Sequence, residues 1–437
     1  MGQHRSKPST RRGFLKTFAA GFAFPMLAPV HVLGRTGVAP SNRLSIGLVG
    51  LGRRGMQHLA SLSQSRETPI VAVCDANFDL AQKTAREAAH HINGLGMRAW
   101  RDHREMFAEA ALDAVIIATP DHWHAPMAIA AARAGLDVYG EAPLAHTLAE
   151  GRAIVDTMRL HGRIWQDGSL LRSLAPTRLA VELVRNGRLG KVTHVEVGAG
   201  NPPINLPTTA EKSKSTPGLD LEAWVGPAPW TEPVARLATD HSWQYVSAYG
   251  GGQLLALAAQ SATIAQWGLN SDFTGPIKIS ATGTFLTTPP YDLEKRFRCV
   301  CTYEKGVVVA ISPAFPAGVR FYGERGWLHV EGLFSGNPNQ APTLRASNNA
   351  ILSETPRPEE ERVYHSNDHW ANFADCIKNR RDPISTAETA HRATSIGHLA
   401  HIAILTGRTL RWNPTTENIL DDPGANALLQ PANRAQA

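Results

Sequence analysis

Leu44-Ser45-Ile46-Gly47-Leu48-Val49 runs directly into Gly50-Leu51-Gly52-Arg53-Arg54-Gly55. A short apolar strand meets a G-x-G-x-x-G turn, and an amphipathic segment follows. Twenty positions past Gly55 a second apolar run, Ile70 to Cys74, ends in Asp75. A glycine triplet alone says little, but this order of strand, turn, helix and acid is the fingerprint of a dinucleotide site. Gly50 permits the tight turn, Gly52 lets the backbone approach a diphosphate, and Gly55 lets the helix pack close to the strand. Amide groups at the helix start, including those of Leu51, Arg53 and Arg54, are placed to hold the phosphates. Asp75 is the expected partner of the adenosine ribose hydroxyls. A carboxylate there repels a 2′-phosphate, and Ala76-Asn77 supplies no cation to offset it, so NAD is expected in preference to NADP.

The repeat continues outward from this unit. Helical patterns over residues 79–91, 102–110, 125–134 and 148–160 alternate with strands at Met97–Trp100, Asp113–Ala118, Leu136–Tyr139 and Arg163–Gln166. Asp113–Ala118 is continuously apolar, as a strand buried on both faces requires. Such β-α units build a doubly wound parallel sheet whose ligands sit at the carboxyl ends of its strands. Beyond residue 167 the pattern changes. A connecting helix over 176–186 precedes runs at Val192–Val197, Ile277–Thr284, Phe297–Tyr303, Val307–Ile311 and Gly326–Val330, most without helices between them. They predict a large, mostly antiparallel open sheet in an α/β domain. Further helices are expected at 252–269 and between 368 and 406, with a loop rich in Pro, Thr and Ser at 201–217. The expected organisation is a leader at 1–41, a dinucleotide domain at 42–167, a substrate domain at 168–412 and a loop-like tail at 413–437.

The 437 residues are 43% hydrophobic and 19% charged, an ordinary globular composition. The formal charge of +6 is misleading. Residues 1–43 hold seven basic residues and no acid, and removing these leaves a remainder at −1. The sequence pI near 9.2 therefore does not argue for nucleic acid as a partner. The basic start has its own meaning. Ser9-Thr10-Arg11-Arg12-Gly13-Phe14-Leu15-Lys16 follows the twin-arginine export pattern, with a weakly apolar stretch from Thr17 to Leu33 after it. Pro25 and Pro29 interrupt that stretch, which is short for a transmembrane helix. An exported, periplasmic protein is expected, carried folded with its cofactor by the twin-arginine machinery; retention of the leader as a membrane anchor stays open. Four cysteines are too few for a disulfide scaffold, and Cys299 and Cys301, two apart in a strand, share one face.

Two further segments fall at the carboxyl edge of the first sheet: Thr119-Pro120-Asp121-His122-Trp123-His124 and Tyr139-Gly140-Glu141-Ala142-Pro143. With the glycine turn, Leu221 to Pro229, Gly250-Gly251-Gly252, Ala265-Gln266-Trp267 and His369 to Phe373, they resemble the Gfo/Idh/MocA family. The likeness extends over nearly all of the chain after Asn42. The resemblance implies an NAD(P) domain followed by an α/β domain whose open sheet supports a sugar or polyol pocket and often a subunit interface. It implies that Thr119, Pro120, His122 and His124 line the nicotinamide and that Glu141 contacts its ribose. A zinc site on His122 and His124 is the competing reading of that pair, but no carboxylate or cysteine cluster lies near them in sequence, and no metal is expected.

The departures matter more. Ala142 stands where the family has its acid/base lysine, and Ala256 and Gln260 stand at its Asp and His positions. Alanine holds no proton and glutamine does not titrate near neutrality, and a positioned acid/base is worth about 10²–10⁴ in rate. Tyr249, His241, Tyr245 and His146 are the substitutes the sequence offers. Arg172, Tyr249 and Gln260 are the candidate substrate contacts, with a surface ion pair as the other reading of Arg172; Leu170 and Leu171 suggest a drier pocket. Three functions remain open: an NAD-dependent oxidoreductase of a sugar, polyol or glycoside with another proton carrier, a silent NAD-containing sugar-binding or partner protein, and a glycosidase using NAD as a bound redox catalyst.

Overall fold

The computed structural model describes residues 43–63, 65–89, 96–202, 204, 206, 216–333, 342–353 and 357–431. The leader expected at 1–41 lies outside them, as do most of the loop at 201–217 and the end of the helix expected to reach residue 91. Among the described residues the first half forms a six-stranded parallel sheet. Its strands are β1 (Ile46–Val49), β2 (Ile70–Cys74), β3 (Arg98–Trp100), β4 (Ala114–Ile117), β5 (Asp137–Gly140) and β6 (Trp165–Asp167). Their order is β3-β2-β1-β4-β5-β6, so the direction of winding reverses between β1 and β4. That switch point opens the crevice into which Gly50 and Thr119 emerge. β1 and β4 are buried at every position, which is why they read as unbroken apolar runs. Helix starts follow their side-chain caps: Asp102 accepts from the Arg104 amide, and Thr147 with Glu150 forms a reciprocal capping box.

The second half forms a nine-stranded sheet of β7 (Val192–Gly198), β8 (Lys278–Phe285), β9 (Glu294–Thr302), β10 (Val308–Ser312), β11 (Gly318–Gly323), β12 (Gly326–Glu331), β13 (Thr343–Ala346), β14 (Leu410–Asn413) and β15 (Asn418–Ile419). Its order is β13-β12-β11-β7-β10-β9-β8-β14-β15; β7 and β10 are parallel and the remaining neighbours antiparallel. β11, β13 and β14 fall outside the runs expected as strands. The tail beyond Trp412 is also more than a loop. β15 and the helix Pro423–Ala427 bury Ile419, Ala425 and Leu429 in the main core, and Glu417 binds Arg152, Arg392 and His391.

Two C-terminal helices join the halves. His369–Asn379 places Phe373, Ala374, Cys376 and Ile377 in the apolar cluster that also holds Ile46, Leu48 and Ile116. Ala387–Thr406 starts in the dinucleotide domain's core with Ala387 and Ala390 and ends in the large-sheet core with Ile396, Leu399 and Ile402. The crevice at the β1–β4 switch point is thereby walled on its far side by the second half. All four cysteines are buried and unbridged, with the Cys299 and Cys301 sulfurs 3.4 Å apart on one face of β9. Among the described residues no helix is long and apolar enough to cross a membrane.

Candidate functional site

A cavity of about 820 Å³ runs along this crevice from the glycine turn to the second half of the chain. At the turn, Gly50 adopts φ +91°, and a Cβ there would lie 2.5 Å from the Ala118 carbonyl oxygen. Gly55 is tighter still, its Cβ position being 1.8 Å from the Gly50 oxygen. Gly52 differs: a Cβ would meet only His241 Cε1, at 3.6 Å. Both tight glycines let the helix Arg53–Leu62 begin directly against β1, while Gly52 keeps its approach from the cavity open. The helix has no acidic residue in its first turn and no side-chain cap at Gly52, so its leading amides face the cavity uncapped. An uncapped N-terminus behind an open glycine fits a diphosphate.

Asp75, at the end of β2, organises the same turn. Its Oδ2 accepts from the Leu51 amide at 2.6 Å and its Oδ1 from the Asn77 amide at 2.7 Å. Burial pushes its pKa up, against those two bonds. The carboxylate thus ties the turn together and presents its remaining lone pairs to the cavity. A cation does stand nearby: register pairs Cys74 with Trp100, so Asp75 and Arg101 leave neighbouring strands side by side. The Arg101 guanidinium lies over the Phe78 ring at 4.1 Å. Asp75→Ala is expected to weaken NAD binding by about tenfold or more, the worth of a hydrogen bond to a charged group. The same change should narrow the preference over NADP, with Arg101 left unopposed. Calorimetric titration of both nucleotides measures each effect.

Farther along, Thr119, Pro120, Asp121 and His124 from the β4 end and Glu141, Ala142 and Pro143 from the β5 end line the cavity. Opposite them stand Gly252, Ala256 and Gln260. Gln260 lies in a π-helical turn, Ala258–Ala262, inserted between the helices Gly252–Leu257 and Thr263–Gly268. Such turns re-aim a side chain, and this one keeps Gln260 on the cavity wall with Ala256. Glu141 is held from the first helix by Arg54 Nε at 3.0 Å and His58 Nε2 at 2.5 Å. Burial pushes its carboxyl up, but those two partners prevail and hold it below the usual range. His124 turns Nδ1 to the Pro143 carbonyl at 2.7 Å and Nε2 to the Thr119 carbonyl at 3.0 Å, bracing the two loops against each other.

Several expected residues fall elsewhere. His122 does not line the cavity; its ring sits against the Trp224 and Tyr249 carbonyls at 3.1 and 3.3 Å, and burial drives its pKa down to about 3. The intervening 3₁₀ turn, Asp121–Trp123, sends His122 and His124 to different surroundings, so they form no common metal site. Tyr249 is fully buried among Trp224, Val225 and Leu237, and its hydroxyl accepts from the Thr231 amide at 2.9 Å, away from the cavity. Tyr245 and His146 are not on the wall either; burial lowers His146 to about 4, its ring bonding to Ser247 and Gly250 backbone. Arg172, expected at the substrate, is 2% exposed and grips Asp272 at 2.6 and 3.2 Å and Thr263 Oγ1 at 2.8 Å. It is a buried ion pair rather than a surface one. His241, by contrast, lines the cavity over Gly52, held in a left-handed conformation at φ +62°. Asp121 and Arg101 are among the wall residues that the sequence did not point to, with Asp102, His103 and Gln244; the acid directly after Pro120 was the available signal for the first.

The family model for an oxidoreductase family with an NAD-binding Rossmann fold matches residues 44–169, and that for the same family's C-terminal α/β domain matches residues 206–437. A glycosyl hydrolase family 109 protein of Stenotrophomonas maltophilia is 28% identical over 247 residues, 53% of this chain and 50% of that protein. An alpha-N-acetylgalactosaminidase of Shewanella oneidensis is 30% identical over 163 residues, 35% of this chain and 34% of that protein. The chain thus spans half or less of the curated relatives it matches. Among solved structures, the aldose-aldose oxidoreductase of Caulobacter crescentus, complexed with glycerol, superposes with a TM-score of 0.63 at 20% identity. It covers 84% of this chain and 99% of its own. The WlbA dehydrogenase of Bordetella pertussis, in complex with NADH and UDP-GlcNAcA, gives 0.62 at 18% identity over 85% and 99%. Both show the likeness of fold.

Proposed function

Because the chain belongs to the Gfo/Idh/MocA oxidoreductase family and carries its NAD-binding Rossmann domain, we propose that it is an NAD-dependent enzyme acting on a sugar, polyol or glycoside. One observation carries the reading: the cavity that begins at the uncapped glycine turn continues without a break to a wall of the second half. Gly50 to Arg54 and Asp75 would hold the nucleotide, and Thr119, Pro120, His124 and Glu141 would border its reactive end. When bound, NAD supplies a hydride acceptor that can also return the hydride. The chain's own part is to hold a carbinol against that site, exclude water and move one proton.

A second reading has specific support, since two relatives are named for glycoside hydrolysis, one of them for α-N-acetylgalactosaminide. Oxidising a ring hydroxyl would acidify the neighbouring C–H, so that loss of that proton expels the aglycone; water then adds across the double bond, and return of the hydride restores the hydroxyl. Purified protein tests both. Absorbance of bound reduced nicotinamide is followed across a sugar and polyol panel, and p-nitrophenol release is followed with p-nitrophenyl α-N-acetylgalactosaminide. Hydride signal alone supports the dehydrogenase; p-nitrophenol release that stops when NAD is stripped supports the glycosidase. Bound NAD with neither signal leaves the silent sugar-binding reading. The proposal further takes residues 1–41 as a twin-arginine leader, making the enzyme periplasmic, and takes the open face of the nine-stranded sheet as a self-association surface. On that face Tyr322 stacks on His194 at 4.1 Å and Arg320 covers Trp327 at 4.8 Å.

A further inference from the structure

We infer that Asp121 is the group that takes up and returns the proton in this cavity, acting from the end of β4 where Ala142, Ala256 and Gln260 cannot. The inference rests on the NAD-and-sugar reading above. It starts from the other carboxyls and imidazoles on the wall, each of which is held by a neighbour or stands at the phosphate end; His103, for one, lies with its Nδ1 3.6 Å from Asp102 Oδ1. Asp75 accepts from two amides at the nucleotide end, and Asp102 accepts from the Arg104 amide at 2.7 Å. Glu141 is clamped by Arg54 and His58. Both nitrogens of His124 face carbonyl oxygens, and His241 stands over Gly52, at the phosphate end.

Asp121 differs in both bonding and place. Its Oδ2 accepts from the Gly251 amide at 3.2 Å, which leaves Oδ1 with no donor among the described residues. It forms no ion pair among them, although the residue is only 8% exposed. Gly251 precedes the helix that presents Ala256 and, through the π turn, Gln260 to the cavity. Asp121 therefore spans the join between the nucleotide wall and the substrate wall, directly after Pro120. A carboxyl bonded on one side only, out of bulk water and lining the same cavity as the vacated acid/base positions, is built to exchange a proton. Burial pushes its pKa up to about 6, against the pull of His124 and the Gly251 amide, which is near the optimum for acid/base work at neutral pH.

The step balances. The carbinol loses its O–H proton to Asp121 Oδ1 and its C–H hydrogen, with both electrons, to NAD; it becomes a carbonyl and Asp121 the neutral acid. In the reverse direction Asp121 returns the proton to the oxygen as the carbon regains the hydride.

Asp121→Asn tests the assignment, because an asparagine oxygen still accepts from Gly251 while the base is gone. Two readouts are expected to separate. The NAD dissociation constant stays within about threefold of wild type, whereas hydride transfer from the active sugar of the panel falls by about 100-fold or more. A further measurement needs no turnover. Loading nucleotide-free protein with NAD at pH 6, in buffers of different ionisation heat, should release part of a proton, since a cationic ring in the cavity favours the carboxylate. His124, Glu141 and His241 also face the cavity but are unaltered in the variant, so the proton missing from Asp121→Asn is that of Asp121. Turnover within threefold of wild type, or unchanged proton release, overturns the assignment alone. Wild-type protein that holds NAD yet gives neither hydride nor p-nitrophenol signal overturns the proposed function, and this assignment with it.

Discussion

Gly52→Ala is expected to leave the protein as stable as wild type and strip it of NAD, whereas Gly55→Ala, three residues on, is expected to undo the fold. Gly52 sits at φ −66° and ψ −172°, a conformation that any residue adopts. Its Cβ would meet nothing closer than His241 Cε1 at 3.6 Å. Alanine there costs no backbone strain and slightly restricts the unfolded chain, so the unfolding free energy should shift by less than about 1 kcal/mol. The added methyl projects into the space through which a diphosphate reaches the backbone, and NAD affinity should fall by about 100-fold, roughly 2.7 kcal/mol. Gly55 inverts both outcomes. In an exposed helix alanine would be the better residue, but here its Cβ would lie 1.8 Å from the Gly50 oxygen. Backbone would have to move, separating the helix from β1, at a cost of about 3 kcal/mol or more. Thermal unfolding with and without NAD distinguishes the pair: Gly52→Ala should keep the wild-type midpoint and lose the increment from added NAD, while Gly55→Ala should unfold early in both conditions. A Gly52→Ala protein that keeps its NAD would remove the glycine cradle from the site.

The same contrast explains what was legible in the sequence. The dinucleotide half is written locally: strand, turn and helix start lie within twelve residues, and a parallel strand buried on both faces cannot help reading as an apolar run. The edge of the second sheet is not. β13 alternates exposed Thr343 and Arg345 with half-buried Leu344 and Ala346, and only its pairing with β12 makes it a strand. The tail reads as loop because its apolar residues come in short pairs, Ile419-Leu420 and Leu428-Leu429, with no helical or strand period, yet Ile419 and Leu429 each fill a gap in a core assembled far upstream. Within the site, spacing placed His122 and His124 together, but a 3₁₀ turn sends one ring to Trp224 and the other to Pro143. The π turn at Gln260 is a matter of hydrogen-bond register and leaves no mark in composition. Asp121 reads as one more polar loop residue until Gly251, 130 positions away, is seen to meet it.

Arg172→Ala is expected to destabilise the protein by about 3–5 kcal/mol and to leave NAD affinity unchanged. The sequence placed this arginine at the substrate; the structure instead seals it beneath the large sheet's helices. Its guanidinium makes a two-pronged contact with Asp272, three more bonds to Thr263, and lies 5.2 Å from the Trp267 ring. Truncating one partner of a buried pair leaves the other charge without solvent or cation, which is where the large cost arises. The Asp272 side chain is 12% exposed, and Arg185, 3.9 Å from its Oδ2, compensates only in part. Lysine should not rescue, because a single ammonium cannot reproduce the fork that spans both carboxylate oxygens and Thr263. Replacing both partners with apolar residues, Arg172→Met with Asp272→Leu, should recover most of the loss, since the charge left behind rather than the missing attraction dominates. Chemical denaturation of the three variants reads these differences directly. If Arg172→Ala instead unfolds like wild type and loses its response to sugar, the guanidinium belongs to the substrate after all, and the cavity must extend beyond Leu171 to reach it.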